Sequence, residues 1–221
     1  MEYSPYHHDM SVRSRRSFRI AVAIALLAAL AVAARRPILR TVGHALVVDD
    51  PVANADVVVV SQWAGDGGAI EAADLVRTGM ADRAAVVGPP VNPGEQELKR
   101  RGVSLIDNTD QVVRVLHALG VKNVERIDSV AGTQAESDLL QSWCDERRFR
   151  TIVVVSAPDH SRRLRRILRR SLAGHSTNAV IRSARFSVFD PDRWWETRDG
   201  LRIGIIELEK LLLDVARHPI S

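Results

Sequence analysis

The sequence predicts an α/β fold, a Rossmann-like open parallel sheet of about five strands with helices on both faces, preceded by an N-terminal transmembrane or signal helix. Three observations carry this. Short runs such as "VVVV" and "IVVV" are apolar at every position, as strands buried on both faces are. They alternate with amphipathic stretches of helical period. A longer apolar segment bracketed by arginines precedes them all.

The elements follow in order. Residues 1–17 read as a basic cytoplasmic tail. "SVRSRRSFRI" then leads into an apolar run from Ile20 to Ala34, closed by "RRP". This is the layout of an export signal, and residues 18–36 are assigned as a transmembrane anchor or signal segment. Three readings stay open: an uncleaved anchor, a cleaved Sec signal, and a cleaved twin-arginine signal from "SRRSFR", which departs from that motif at Arg19. The run is short against the roughly 20 apolar residues of a full span. Arginines flank both ends, so charge alone does not set orientation. Residues 37–54 read as a linker and 55–221 as the α/β domain.

Within the domain, "ADVVVVS" is a strand and "GGAIEAADLVRTG" a helix with Ile70, Ala73, Leu75 and Val76 inward. "RAAVVG" is a second strand, "GEQELKRRG" a short helix, and "VSLI" a short extended piece. "DNTDQVVRVLHALG" starts with cap residues and places Val112, Val113, Leu116 and Leu119 on one face. "NVERI" is a third strand. "TQAESDLLQSWCDERR" opens with Thr133 and Glu136 at capping-box spacing, which gives Glu136 a local structural job. "RTIVVVS" is a fourth strand, and "DHSRRLRRILRRSL" a helix with Leu164, Ile167, Leu168 and Leu172 on its apolar stripe. "NAVIRSA" is a fifth strand, and the Trp-rich end supplies the last helix or pair.

Composition narrows the chemistry. The 221 residues carry 31 Lys and Arg against 27 Asp and Glu, with Lys only at 99, 122 and 210. Arginine is the better planar fork for phosphate and carboxylate. The single cysteine, Cys144, makes no internal disulfide. The histidines lack ligand spacing, so no metal site is expected. No zinc finger, stacking-aromatic pattern or helix-turn-helix accompanies the charge, so no nucleic acid is expected.

In an open parallel sheet, ligands sit beyond the carboxyl ends of the strands. The segments after strands one to four, "SQWAGDGG", "GPPVNPGE", "DSVAGTQAES" and "SAPDHSRR", are therefore the candidate rim. His160 falls in the first turn of its helix, with Arg163 one turn on along the same face. Beside free backbone N–H groups they make a cradle for phosphate or carboxylate. His160 is the candidate general acid/base. Arg163 is the candidate anion clamp, with Ser156 at the strand end behind them. Glycines of "AGDGG" would let a ligand approach the backbone, with Ser61 before them and Asp66 and Glu71 as nearby acids. The remaining arginines of this helix read as a solvated face, or as a basic surface toward anionic headgroups.

Taken in order, these segments resemble the SanA/ElyC/YdcF family of bacterial envelope proteins. The likeness runs from Ala55 to Ala216 over "ADVVVV", "EAADLVRTGMAD", "RAAVVG", "LGV…ERI", the Thr loop "DSVAGTQAES", the His-x-x-Arg start "VVVSAPDHSRRL", "RWWET" and "ELEKLLL". It implies a Rossmann-like domain and, by position, roles for His160, Arg163, Thr133 and Ser156. The chain departs from the family at Ser61-Gln62-Trp63, at Ala69-Ile70 and at "GPP". The resemblance also implies a role in envelope or peptidoglycan integrity, on the outer side of a bacterial inner membrane. The expected partner is an anionic, phosphorylated small molecule or a lipid-linked envelope precursor; no cofactor is assigned. Two other readings stand beside it: a non-enzymatic envelope scaffold or regulator, and an intracellular nucleotide or S-adenosylmethionine binder.

Overall fold

The computed structural model describes residues 9–219 of the chain; residues 1–8 of the expected basic tail lie outside them. Two compact units result, Met1–Val42 and Gly43–Ser221. The first is a single helix, α1, which runs Asp9–Leu46 and hands its last turn to the second unit. Its stretch Ser17–Leu46, 30 residues containing an 18-residue window with a mean hydropathy of 2.3, is long and apolar enough to cross a membrane. At 1.5 Å per residue it measures about 45 Å, against about 30 Å of bilayer hydrocarbon. The short apolar run is thus part of a longer helix, which continues through Pro37.

The expected linker over 37–54 is correspondingly reduced. Its first part is helical to Leu46, and its second part is bound into the domain. Leu46 and Val48 are buried. Ser161 Oγ accepts the Val48 N–H at 2.7 Å, and the Asp50 N–H donates to the Ile181 carbonyl at 2.8 Å.

The second unit alternates strands and helices: β1 (Val57–Val60), α2 (Gly65–Arg77), β2 (Ala84–Val87), α3 (Pro93–Arg100), α4 (Asn108–Ala118), β3 (Val124–Ile127), α5 (Thr133–Arg147), β4 (Thr151–Ser156), α6 (Pro158–Ser171), β5 (Asn178–Ser183) and α7 (Arg198–Arg217), with a 3-10 turn at Trp194–Glu196. "VSLI" is coil. All five strands are parallel, in the order β3-β2-β1-β4-β5. That order explains the composition of each strand. The central β1, β2 and β4 are buried on both faces, and β1 and β2 consist only of Val and Ala. The edge strands carry charge, Glu125 and Arg126 in β3 and Arg182 in β5. One face packs under α2 and α4, the other under α5 and α6. The apolar stripe of α6 is buried as expected, whereas Leu119, expected inward, is exposed just beyond the end of α4.

The arginine face of α6 is not solvated as expected. Arg166 and Arg170 both grip Asp214 of α7, at 2.8 and 2.5 Å. Arg165 meets Asp50 at 3.3 Å, and Arg162 donates to the Val47 carbonyl at 3.0 Å. Only Arg169 of the six is exposed. These side chains fasten the last helix and the segment after α1 onto the sheet domain.

Candidate functional site

The chain runs outward in opposite directions from β1 and β4, so their carboxyl ends bound the topological switch point, where a crevice forms in folds of this kind. A cavity of about 600 Å³ lies there. The loop after β1 supplies Trp63 and Gly65–Gly67, and the start of α6 supplies Asp159, His160 and Arg163. Two contributors were not foreseen: the loop after β5, with Phe186 and Val188, and the inner side of α7, with Arg202, Ile206, Glu207 and Lys210. Nothing in the sequence flagged Glu207, because its importance comes from a helix folding back across the rim.

His160 is 3% exposed. Its Nδ1 lies 3.3 Å from Glu207 Oε2 and 3.0 Å from Arg163 Nη2. A guanidinium only donates and a carboxylate only accepts, so Nδ1 satisfies one of the two at a time. Its Nε2 is buried and has no hydrogen-bond partner in the protein. Arg163 holds Glu207 through two nitrogens, Nε at 2.9 Å and Nη2 at 3.2 Å. Its Nη1 donates to Thr133 Oγ1 at 3.0 Å, and Lys210 Nζ adds a contact to Glu207 at 2.8 Å. Burial alone would raise the Glu207 pKa. The hydrogen bonds from His160, Arg163 and Lys210 outweigh it and hold the carboxyl far below its ordinary range. Asp159 moves the other way, raised by burial and by the negative charge of Glu207.

The expected role of Arg163 therefore changes. The anion in its fork is the protein's own Glu207. The cations left at the cavity are Lys210, shared with Glu207, and Arg202, which is 3.9 Å from Asp199.

Thr133 and Glu136 form no capping box. Gly132 is the N-cap, at φ 90° and ψ 160°, a conformation open to glycine. The helix then begins at Thr133, and Glu136 falls one position too late to reach the cap and points into the core. It is fully buried, and its Oε1 accepts the Gln62 N–H at 3.1 Å. Its Oε2 has no partner. Burial raises its carboxyl above the usual range, against the Gln62 bond and the nearby His160. Capping-box spacing hides Glu136 in the sequence; its place in the Thr loop at a strand end is the signal that points to it. A true capping box does occur at Asn92 and Glu95.

The other expected site residues divide. Ser61 is buried with Oγ unpartnered and lines a smaller cavity beside the first. Asp66 lines both cavities. Ser156 belongs to the sheet: its carbonyl accepts the Ala184 N–H and its Oγ donates to the Ala157 carbonyl. Glu71 is no ligand acid. It is buried and paired with Arg182 and Arg185 at 2.9 and 2.6 Å, tying α2 to β5 and the loop after it. Gly67 serves packing, since a Cβ there would come within 1.9 Å of the Phe186 carbonyl oxygen. Of the four expected loops, those after β1 and β4 share the main cavity. The loop after β3 does not line it, although Thr133 accepts a hydrogen bond from Arg163, and the loop after β2 borders the smaller one through Pro89. No cluster of metal-ligating side chains occurs among the described residues.

These features define the class: an α/β domain with a switch-point cavity, attached to a helix of membrane-spanning length. No family model matches the chain, and no curated protein matches it. A solved structure of a universal stress protein in complex with cAMP is similar over 59% of this chain and 98% of its own, at 19% identity and a TM-score of 0.33. The cAMP is a property of that protein.

Proposed function

We propose that the chain is a membrane-tethered envelope protein of the SanA/ElyC/YdcF type whose switch-point cavity binds a small anionic, phosphorylated metabolite. The observation that carries this is the cavity of about 600 Å³ bounded by the start of α2 on one side and His160 on the other. His160 Nε2 is a buried polar atom awaiting a partner, and buried polar groups are nearly always hydrogen-bonded. The N–H groups opening α2, which has no side-chain cap, favour an anion. Arg202 and Lys210 supply positive charge at the wall formed by α7. The lipid-linked form of such a metabolite suits the apolar side chains Trp63, Phe186, Val188 and Ile206 that surround the same cavity.

The test is mass spectrometry of small molecules released from the full chain purified in mild detergent. A phosphorylated compound, retained by the parent and lost from Lys210→Ala with Arg202→Ala, is the expected result. Recovery of uncharged compounds alone, or equal recovery from parent and variant, refutes it. For the outer-side location, an export-dependent reporter fused at the C-terminus is active; inactivity places the domain in the cytoplasm.

One observation favours a second reading, a non-enzymatic scaffold or regulator. The Arg163 fork is already filled by Glu207, as in a structural ion pair. Under that reading His160→Ala complements a deletion strain fully.

A further inference from the structure

The last helix, α7, packs on the domain along one side. Gly200, Gly204 and Glu207 are buried there, and a Cβ on either glycine would strike Trp194. A second side lines the main cavity through Arg202, Ile203, Ile206, Glu207 and Lys210. A third side is apolar and open. It carries Leu201, Ile205, Leu208, Leu212 and Val215, none of which lines the main cavity. Leu208 is half-buried, and the other four are 39–67% exposed. These five follow one another at intervals of four, three, four and three residues. That is the repeat of about 3.5 residues by which two helices pack knobs into holes. Packing on the domain does not account for it, because the buried residues are on another side of the helix. One edge of the stripe is bounded by Arg202 and Glu209, exposed charges of opposite sign exactly one heptad apart.

We propose that α7 pairs antiparallel with α7 of a second copy of this chain, Ile205 against Leu208 and Leu201 against Leu212 across a two-fold axis. Two-fold dimers are the commonest closed assembly. In this register Arg202 of each copy comes beside Glu209 of the other, and the axis makes the pair twice. Sliding by one heptad sets Arg202 beside Arg202, or Glu209 beside Glu209, so like-charge repulsion selects the register. A parallel pair sets this edge of one helix against the opposite edge of its partner. That edge holds Gly204 and Leu211, so the two charges would go unmatched. A bilayer surface would also cover apolar side chains. It imposes no such spacing, however, and it favours Lys and Arg along the polar edge, where α7 has Glu209. Arg202 stands at the wall of the main cavity as well, and its guanidinium has N–H donors enough for both contacts. The pairing is independent of what the cavity binds.

The test is sedimentation equilibrium of the full chain in mild detergent, where a dimer is expected. Ile205→Glu combined with Leu212→Glu, both at exposed positions, should weaken association tenfold or more while the circular dichroism spectrum stays that of the parent. Arg202→Glu and Glu209→Lys should each weaken it too. Mixing those two single variants should restore it, because opposite charges then meet in both pairs. A dimer that survives Ile205→Glu with Leu212→Glu associates through α1 or another surface and overturns the pairing. Single charge variants that fail to recover on mixing overturn the antiparallel register. A monomeric parent chain overturns the pairing outright. If a fluorophore on Leu212→Cys in that monomer reports lipid contact in vesicles of phosphatidylcholine and phosphatidylglycerol, the stripe belongs to the bilayer instead.

Discussion

Replacing Arg163 by Ala tests the most connected part of the site. The side chain is 13% exposed and Glu207 9%, so the pair is shielded from solvent and salt. Removing one partner of a buried pair strands the other charge, at about 3–5 kcal/mol. Lys210 and His160 still touch Glu207, which favours the lower end, about 3 kcal/mol. In a domain of this size each kcal/mol lowers Tm by about 2–4 °C, so a fall of about 6–12 °C is expected. Thermal melting followed by circular dichroism reads it. Adding Glu207→Gln to Arg163→Ala removes the stranded charge and should recover most of the loss. A fall under about 2 °C, or a double variant that is the sum of the singles, refutes the buried-pair account and returns Arg163 to the role of a free anion clamp.

Further outcomes follow from the same contacts. Glu207 and Asp214 are held charged below their ordinary values of 4.5 and 3.8. Their stabilisation is complete above those values and is lost as pH falls below them, so acid melting should begin near this range and Glu207→Gln should flatten it. Glu136 has the opposite sign. Its raised pKa makes the carboxylate costly above its ordinary value of 4.5, so Glu136→Gln should raise Tm at pH 8 and leave it unchanged at pH 4. Glu71→Ala should cost about 2 kcal/mol, below the buried-pair range because Arg185 is largely exposed, and leave ligand affinity at the main cavity intact; lost affinity at unchanged Tm would reinstate it as a ligand acid. A chain beginning at Ala55 loses Leu46 and Val48, each contributing about 1.5–3 kcal/mol of burial. It should melt well below one beginning before Gly43, as differential scanning fluorimetry would show.

The fold was legible because its signals are local. All-apolar β1, the apolar centre of β4 and the buried stripe of α6 follow from residues adjacent in the chain, and a strand buried on both faces has few other sequences open to it. The rim followed too, since parallel strands put every βα loop at one edge. What failed to show was pairing across the chain. Nothing near Glu71 announces Arg182 and Arg185, nothing near Asp214 announces two arginines of α6, and Thr133 with Glu136 reads as a cap until Gly132 is seen to take that position.

The sequence by itself therefore determined the class of fold, the apolar N-terminal helix and the placing of His160 at a strand end, because periodicity, run length and capping act within a few residues. Tertiary structure alone decided that Arg163 is occupied by Glu207, that the arginines of α6 are fasteners, and that buried Glu136 takes the Gln62 N–H. Those outcomes depend on which distant side chain arrives to neutralise a buried charge, and that partner is chosen by the packing of α7 and α5 against the sheet.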